Sequence, residues 1–246
     1  MAVEQIGTLK RLRRYPVKSM AGEDLAEARV TFAGITGDRV CAFIDAGNRS
    51  NFPWMTARQA HEMILFRPRF LDPPRPDDDI PCALRYTAEV TSPEGQTFRV
   101  DDAAFAQHLE KRFGRSLRFR FSERSMTDAR PISILGLSTL RALSTETEIE
   151  LDPRRFRENF YVEWKDPRPF FEDELVGREL QIGDTSFVQV VKKNGRCIII
   201  TLDPETAVSS PNIFRQVSQH HEGCIGVYGA VLREGIIRVN DPIYAV

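Results

Sequence analysis

Cysteine and histidine are scarce in this chain, with four of each in 246 residues. Cys41, Cys82, Cys197 and Cys224 are far apart and make no C-x-x-C pair, which excludes the familiar zinc and iron–sulfur spacings. So few cysteines in a chain of this length also argue against a disulfide framework. His220 and His221 are adjacent, His61 and His108 are isolated, and no H-E-x-x-H pattern occurs. No apolar run is long enough to span a bilayer, and residues 1–7 lack the apolar core of a signal peptide. Charge of one sign is also missing: 34 basic residues face 35 acidic ones, for a formal net charge of −1. No global field therefore favours nucleic acid or a membrane surface as partner. These absences predict a cytoplasmic protein with one large or two modest domains and enough chain to bury a real core.

The charge that is present is clustered. Lys10, Arg11, Arg13, Arg14 and Lys18 crowd the start, Arg112, Arg115, Arg118, Arg120 and Arg124 the middle, and Arg154, Arg155 and Arg157 form a third group. Such runs are usually solvated faces, but separate clusters that converge in space make an anion site.

Most of the chain reads as short strands separated by turn residues, the pattern of a barrel or sandwich. Strands are expected at 6–15, 25–32, 39–44, 132–137 and 160–162, with hairpins at 84–100, 180–191 and 224–239. Residues 71–81, rich in proline and aspartate, read as an exposed loop. The clearest helix is 103–113, where Phe105, Leu109 and Phe113 share a face, Asp101 and Asp102 are N-cap candidates, and Gly114 is a stop. Shorter helices are expected at 138–143 and 211–220. The polar, aperiodic stretch 122–130 suggests a boundary between residues 1–121 and 122–246. The class is α+β and β-rich.

One cysteine stands out. In Gly195-Arg196-Cys197-Ile198-Ile199-Ile200-Thr201-Leu202-Asp203-Pro204, a thiol follows a cation and enters a β-branched run that stops at Asp-Pro. The run reads as a strand. A cation beside a thiol favours the thiolate, the form that binds soft metals. A free cysteine is equally at home in an apolar core, so both roles stand open at this point.

Several motifs then fall in order along nearly the whole chain: Tyr15-Pro16-Val17-Lys18-Ser19-Met20-Ala21-Gly22, Gly34-Ile35-Thr36-Gly37-Asp38-Arg39, Thr56-Ala57-Arg58-Gln59, Arg155-Phe156-Arg157-Glu158-Asn159, Phe170-Phe171-Glu172-Asp173, Leu180-Gln181-Ile182-Gly183, and Arg196-Cys197 through Asp203-Pro204-Glu205-Thr206. In this order they resemble the MOSC proteins, and within them the branch of the mitochondrial amidoxime-reducing component and its bacterial relatives. The resemblance implies an N-terminal β-barrel-like subdomain at 1–121 followed by a MOSC β-barrel domain at 122–246. It implies a molybdenum–molybdopterin cofactor, with Cys197 as metal ligand at the catalytic centre. Lys18, Ser19 and Arg39 fall where the family holds the cofactor phosphate, and Arg157 and Asn159 where it meets the pterin end. Ser138 lies in a segment that touches the cofactor, and Arg196 is expected to help keep the Cys197 thiol deprotonated. Asp203 is expected to orient the cysteine loop through backbone hydrogen bonds.

The implied activity is reduction of small N-hydroxylated compounds, amidoximes or hydroxylated bases. Electrons would come from a separate ferredoxin-, flavin- or cytochrome-type protein, because no C-x₄-C-x₂-C segment is present to form a fused ferredoxin, and no N-terminal membrane anchor is expected. The alternative is a cofactor carrier or sulfur-transfer protein that uses the same cysteine, and a cofactor-free interaction module is a third reading. The sequence departs from the family pattern at Glu158 (proline in the family), Ile200 (threonine), Ala207 (glycine) and Tyr228 (phenylalanine).

Overall fold

The structure, a computed structural model, describes residues 4–75 and 87–246. Cys82, the end of the loop expected at 71–81 and the first residues of the hairpin expected at 84–100 lie outside the described residues. In chain order the strands are β1 (Gln5–Arg14), β2 (Glu23–Leu25), β3 (Glu27–Thr31), β4 (Gly34–Ile35), β5 (Cys41–Asp45), β6 (Arg67–Phe70), β7 (Ala88–Thr91), β8 (Thr97–Arg99), β9 (Leu117–Phe121), β10 (Ile132–Gly136), β11 (Phe160–Trp164), β12 (Glu179–Ile182), β13 (Ser186–Gly195), β14 (Cys224–Arg233), β15 (Gly235–Arg238) and β16 (Pro242–Ala245). The helices are α1 (Ala103–Phe113), α2 (Leu137–Thr147) and α3 (Pro211–His220).

Seven strands close into a barrel in the order β11-β10-β14-β13-β12-β16-β1, with β1 pairing back to β11 and β2 added beyond β1. All barrel pairs are antiparallel except β10–β11, which needs a crossover. Helix α2 supplies it and covers that side of the barrel. Inward positions alternate along the strands, so Leu9, Val162, Ile134, Val227, Val188, Leu180 and Ile243 fill the interior. A closed barrel leaves no unpaired edge among its staves.

The first half supplies the stave β1 and otherwise forms small sheets, β5-β9 and β6-β7-β8, around α1. Its core is aromatic: Phe43 meets Phe105 edge-on at 5.5 Å, and Phe66 and Phe98 pack on Phe105 as well. Helix α1 ends as expected, with Gly114 at φ 64° and its N–H bonded to Glu110 O at 2.8 Å. Asp102 stands at the N-cap, but its carboxylate makes no capping bond.

Two expectations fail. The final hairpin does not form: β14 pairs with β13 and, over Val227–Gly229, with β10, while β15 pairs with β3 of the first half. Residues 197–202 are not a strand. Ile198–Thr201 is a short 3-10 turn whose side chains go to different places: Ile199 and Leu202 pack into the first-half core, Ile200 packs against α2 and α3, and Ile198 is exposed. A β-branched run normally signals a strand. Here two separate apolar cores override that preference, and Cys197 is held where they meet.

Candidate functional site

Cys197 lines a cavity of about 300 Å³ between the two halves of the chain. The cavity is open to Lys18, Ser19, Arg39 and Arg58 on one side and to Arg157, Asn159, Arg196 and Tyr228 on the other. Of the residues assigned to the cofactor from the sequence, only Ser138 is not among its walls. Ser138 is buried at the start of α2, and its hydroxyl donates to Arg168 O at 3.4 Å.

Three wall residues share an uncommon backbone. Ser19, Arg39 and Arg157 have φ of 66°, 51° and 57°, the left-handed region that costs a side-chain-bearing residue roughly 1–2 kcal/mol. Such strain persists where surrounding structure fixes it, and here it gathers at one site. Ala207 also sits at φ 58°, so its departure from the family glycine puts a methyl group on a left-handed position.

The cations are organised around Tyr15. Its buried ring has the Arg157 guanidinium at 4.4 Å, that of Arg39 at 4.6 Å and that of Arg13 at 5.7 Å. Gly22 allows this, since a Cβ there would fall 2.5 Å from the ring. Arg39 binds Asp38 at 2.5 Å and donates to Arg157 O at 2.8 Å. Among the described residues Arg157 has no carboxylate partner, and its Nη2 is buried without a hydrogen bond. Burial and the neighbouring Arg39 push its pKa down to about 10, so it remains charged at neutral pH.

Lys18 is buried, donates to Met126 O at 2.7 Å and pairs with Asp128. Burial pushes its pKa below the usual lysine value, and attraction to Asp128 offsets part of that. Asp128 also takes Arg58 at 3.0 Å. Arg58 faces Cys197. Burial opposes its charge, but its contact with Cys197 and its attraction to Asp128 outweigh this and raise its pKa.

The sequence pointed to Arg196 as the cation beside the thiol, and the structure brings Arg58 to it. Arg196 is engaged elsewhere: it pairs with Glu158 at 2.6 Å and also donates to Phe156 O. Arg58, from the Thr56-Ala57-Arg58-Gln59 element, takes the place facing the sulfur. The motif was visible in the sequence, but no local signal joined residue 58 to residue 197. Glu158 also accepts from Asn194 at 2.8 Å, and its Oε2 is buried without a partner. Burial raises its pKa.

Asn159 spends its side chain on strand joints. Its Oδ1 accepts from Ser133 N and Oγ at 3.2 and 3.1 Å, and its Nδ2 donates to Arg13 O at 3.3 Å. Asp203 orders the loop after Cys197: its Oδ1 accepts from Glu205 N, Thr206 N and Thr206 Oγ1 at 3.0–3.1 Å, and its Oδ2 holds Arg155. Of the three arginine clusters, the first and third converge near the site. The middle one does not: Arg112 is taken by Glu62 and Glu94, and Arg115 by Asp45.

The MOSC domain family matches residues 122–244 and the MOSC N-terminal beta barrel domain family residues 6–115. The chain belongs to the MOSC-domain family. This MOSC protein is 24% identical to mitochondrial amidoxime-reducing component 1 of Mus musculus, over 98% of its own length and 83% of the relative's. It is 25% identical to mitochondrial amidoxime reducing component 2 of Macaca fascicularis, over 98% and 84%. Among solved structures, the YuaD protein from Bacillus subtilis shares its fold, with a TM-score of 0.52 at 14% identity over 97% of this chain and 94% of that one. Among the described residues no group of three or more His, Cys, Asp and Glu side chains is placed to hold a metal ion, and no helix is long and apolar enough to cross a membrane.

Proposed function

We propose that this MOSC protein is an oxidoreductase that binds a molybdenum–molybdopterin cofactor in the Cys197 cavity and reduces small N-hydroxylated compounds. The observation that carries the reading is one thiol sharing a cavity with Lys18, Arg39, Arg58 and Arg157. A thiolate suits molybdenum, and clustered cations suit a phosphate-bearing pterin. The residues fit such a group, because the orphaned Arg157 Nη2 is a buried donor that still lacks an acceptor.

Cys197 Sγ would ligate the metal, with Arg58 balancing the charge on the sulfur. Lys18, Ser19 and Arg39 would hold the phosphate, and Arg157 the pterin end. Phe156, Ile200 and Tyr228 line the same cavity and limit water there. The bound molybdenum supplies two-electron chemistry that removes oxygen from an N–O bond. Overall, reduction of N–OH to N–H consumes two electrons and two protons and releases water. A separate ferredoxin-, flavin- or cytochrome-type protein would deliver the electrons, and a cytoplasmic setting suits this exchange.

The test is metal analysis of protein made in a host that synthesises the cofactor, followed by benzamidoxime reduction with an artificial donor. Molybdenum near one per chain together with turnover is expected. Cys197→Ala should fold, at a cost of about 1–3 kcal/mol, and lose the metal. Bound molybdenum without turnover would favour a carrier, and wild-type molybdenum content in Cys197→Ala would overturn the ligand assignment.

A further inference from the structure

A second cavity, of about 320 Å³, lies behind the wall formed by Arg155, Arg157 and Ile199, which also line the Cys197 cavity. Its size is that of a small-molecule site. Its lining includes apolar Ile64, Pro68, Leu202 and Pro204 and the carboxylates of Asp24 and Glu205. It also carries Arg11, Arg13, Arg67, Arg154, Arg155 and Arg157.

Most of these arginines have carboxylate partners. Arg11 binds Asp24 at 2.5 and 2.8 Å, Arg154 binds Asp152 and Glu205, Arg67 binds Glu205, and Arg155 binds Asp203. Among the described residues six guanidiniums thus meet four carboxylates, which leaves two positive charges uncompensated. They fall on Arg13 and Arg157. Arg13 is 3% exposed, and its Nε and Nη1 are buried without a hydrogen bond. Its nearest carboxylate oxygen, on Asp24, is 3.7 Å away and already serves Arg11. Arg157 Nη2 is likewise unpartnered, and so is Nε of Arg155, which is 6% exposed. Burying a guanidinium donor without an acceptor is costly, so four such nitrogens, on three arginines that line one void, mark a place suited to an anion. The lowered pKa values of Arg155 and Arg157, set mainly by burial, agree with charges that lack full compensation.

We propose that this second cavity binds a phosphate monoester carrying a small apolar body, at a site separate from the Cys197 cavity. The anion meets the unpartnered donors of Arg13 beside the shared Arg155–Arg157 wall, and the apolar lining residues receive the organic body. Arg155 and Arg157 border both cavities, so the unpartnered donors that belong to this site alone are those of Arg13. The site also reaches the Cys197 loop: Ile199 faces both cavities, and Arg155 donates to Thr201 O at 2.8 Å.

The test is titration of the full-length chain with phenyl phosphate, followed by calorimetry and ³¹P NMR, with benzyl alcohol as the neutral control. Saturable, salt-sensitive binding of phenyl phosphate alone is expected. Loss of one charge-assisted contact in Arg13→Gln should weaken it about tenfold or more. Lys18→Ala, which removes a cation of the other cavity, should leave affinity within about twofold. Should Arg13→Gln fail to fold, the exposed Arg67→Glu change at the rim carries the same expectation of weaker binding. Absence of saturable binding, equal binding of benzyl alcohol, or binding that Lys18→Ala abolishes while Arg13→Gln or Arg67→Glu preserves it would overturn the proposal. Molybdenum content, measured separately, reports on the Cys197 cavity whichever way this result falls.

Discussion

Lys18→Met separates the two roles that the structure gives this side chain. The ammonium is buried, donates to Met126 O at 2.7 Å and pairs with Asp128. Removing it leaves the Met126 carbonyl unpaired, a loss of about 1–3 kcal/mol. Asp128 loses less, because it is 39% exposed and keeps Arg58 at 3.0 Å, so that part of the pair is screened. The methionine spares the fold the desolvation of a buried charge and packs near Phe52 and Trp54, whose ring centres lie 5.5 and 6.0 Å from Nζ. The net expectation is a destabilisation of about 1–2 kcal/mol, read by urea denaturation. The loss in cofactor retention should be larger in proportion. A charge-assisted phosphate contact is worth roughly 1.5–3 kcal/mol, or about ten- to a hundredfold in affinity. Molybdenum per chain after dialysis measures it.

The pH dependence gives an independent check. The folded pKa of Lys18 lies below its ordinary value of 10.5. Between the two values the unfolded chain binds more protons, so this group makes stability rise with pH across that window. Lys18→Met should remove the rise. A variant that keeps wild-type molybdenum retention would refute the phosphate role, and one that keeps the alkaline rise would refute the burial argument.

Three further outcomes are expected. Arg58→Gln should slow alkylation of Cys197 by iodoacetamide several-fold at neutral pH, because it removes the cation facing the sulfur, whereas Arg196→Gln should not; mass spectrometry of the labelled peptides distinguishes them. Gly22→Ala should destabilise the protein by about 1–3 kcal/mol in denaturant, since the new Cβ would lie 2.5 Å from the Tyr15 ring and 2.8 Å from Arg14 O. Cys41 is buried, and desolvation raises its pKa from 9.0 to about 12. Its contribution to stability is therefore fully present below pH 9 and lost as pH rises toward 12, so wild type should lose more stability over that interval than Cys41→Ala.

Much of the site was legible because it sits at chain punctuation. Lys18-Ser19, Asp38-Arg39 and Arg157 follow strands or turns, where glycine and proline mark the boundaries and the family motifs are readable one after another. Helix α1 and the β7–β8 hairpin were legible for a similar reason, since their apolar periodicity and caps are local. What failed was non-local. The alternation in residues 224–239 is genuine strand pattern, but which strand receives β15 is decided by the fold, and β3 of the first half does.

The sequence by itself determined the β-rich class, the cysteine at the loop and the order of the cationic motifs, since each is written within a few neighbouring residues. Tertiary structure alone decided three things. It turned Ile198–Thr201 into a 3-10 turn, because its side chains are drawn into separate cores. It set Arg58 rather than Arg196 against Cys197, because the buried Glu158 captures Arg196. It also gathered the first and third arginine clusters behind Tyr15, because β1 of the first half closes a barrel built by the second. Coulomb and desolvation energies depend on distances in space, and residues 58 and 197 acquire such a distance only when the chain has folded.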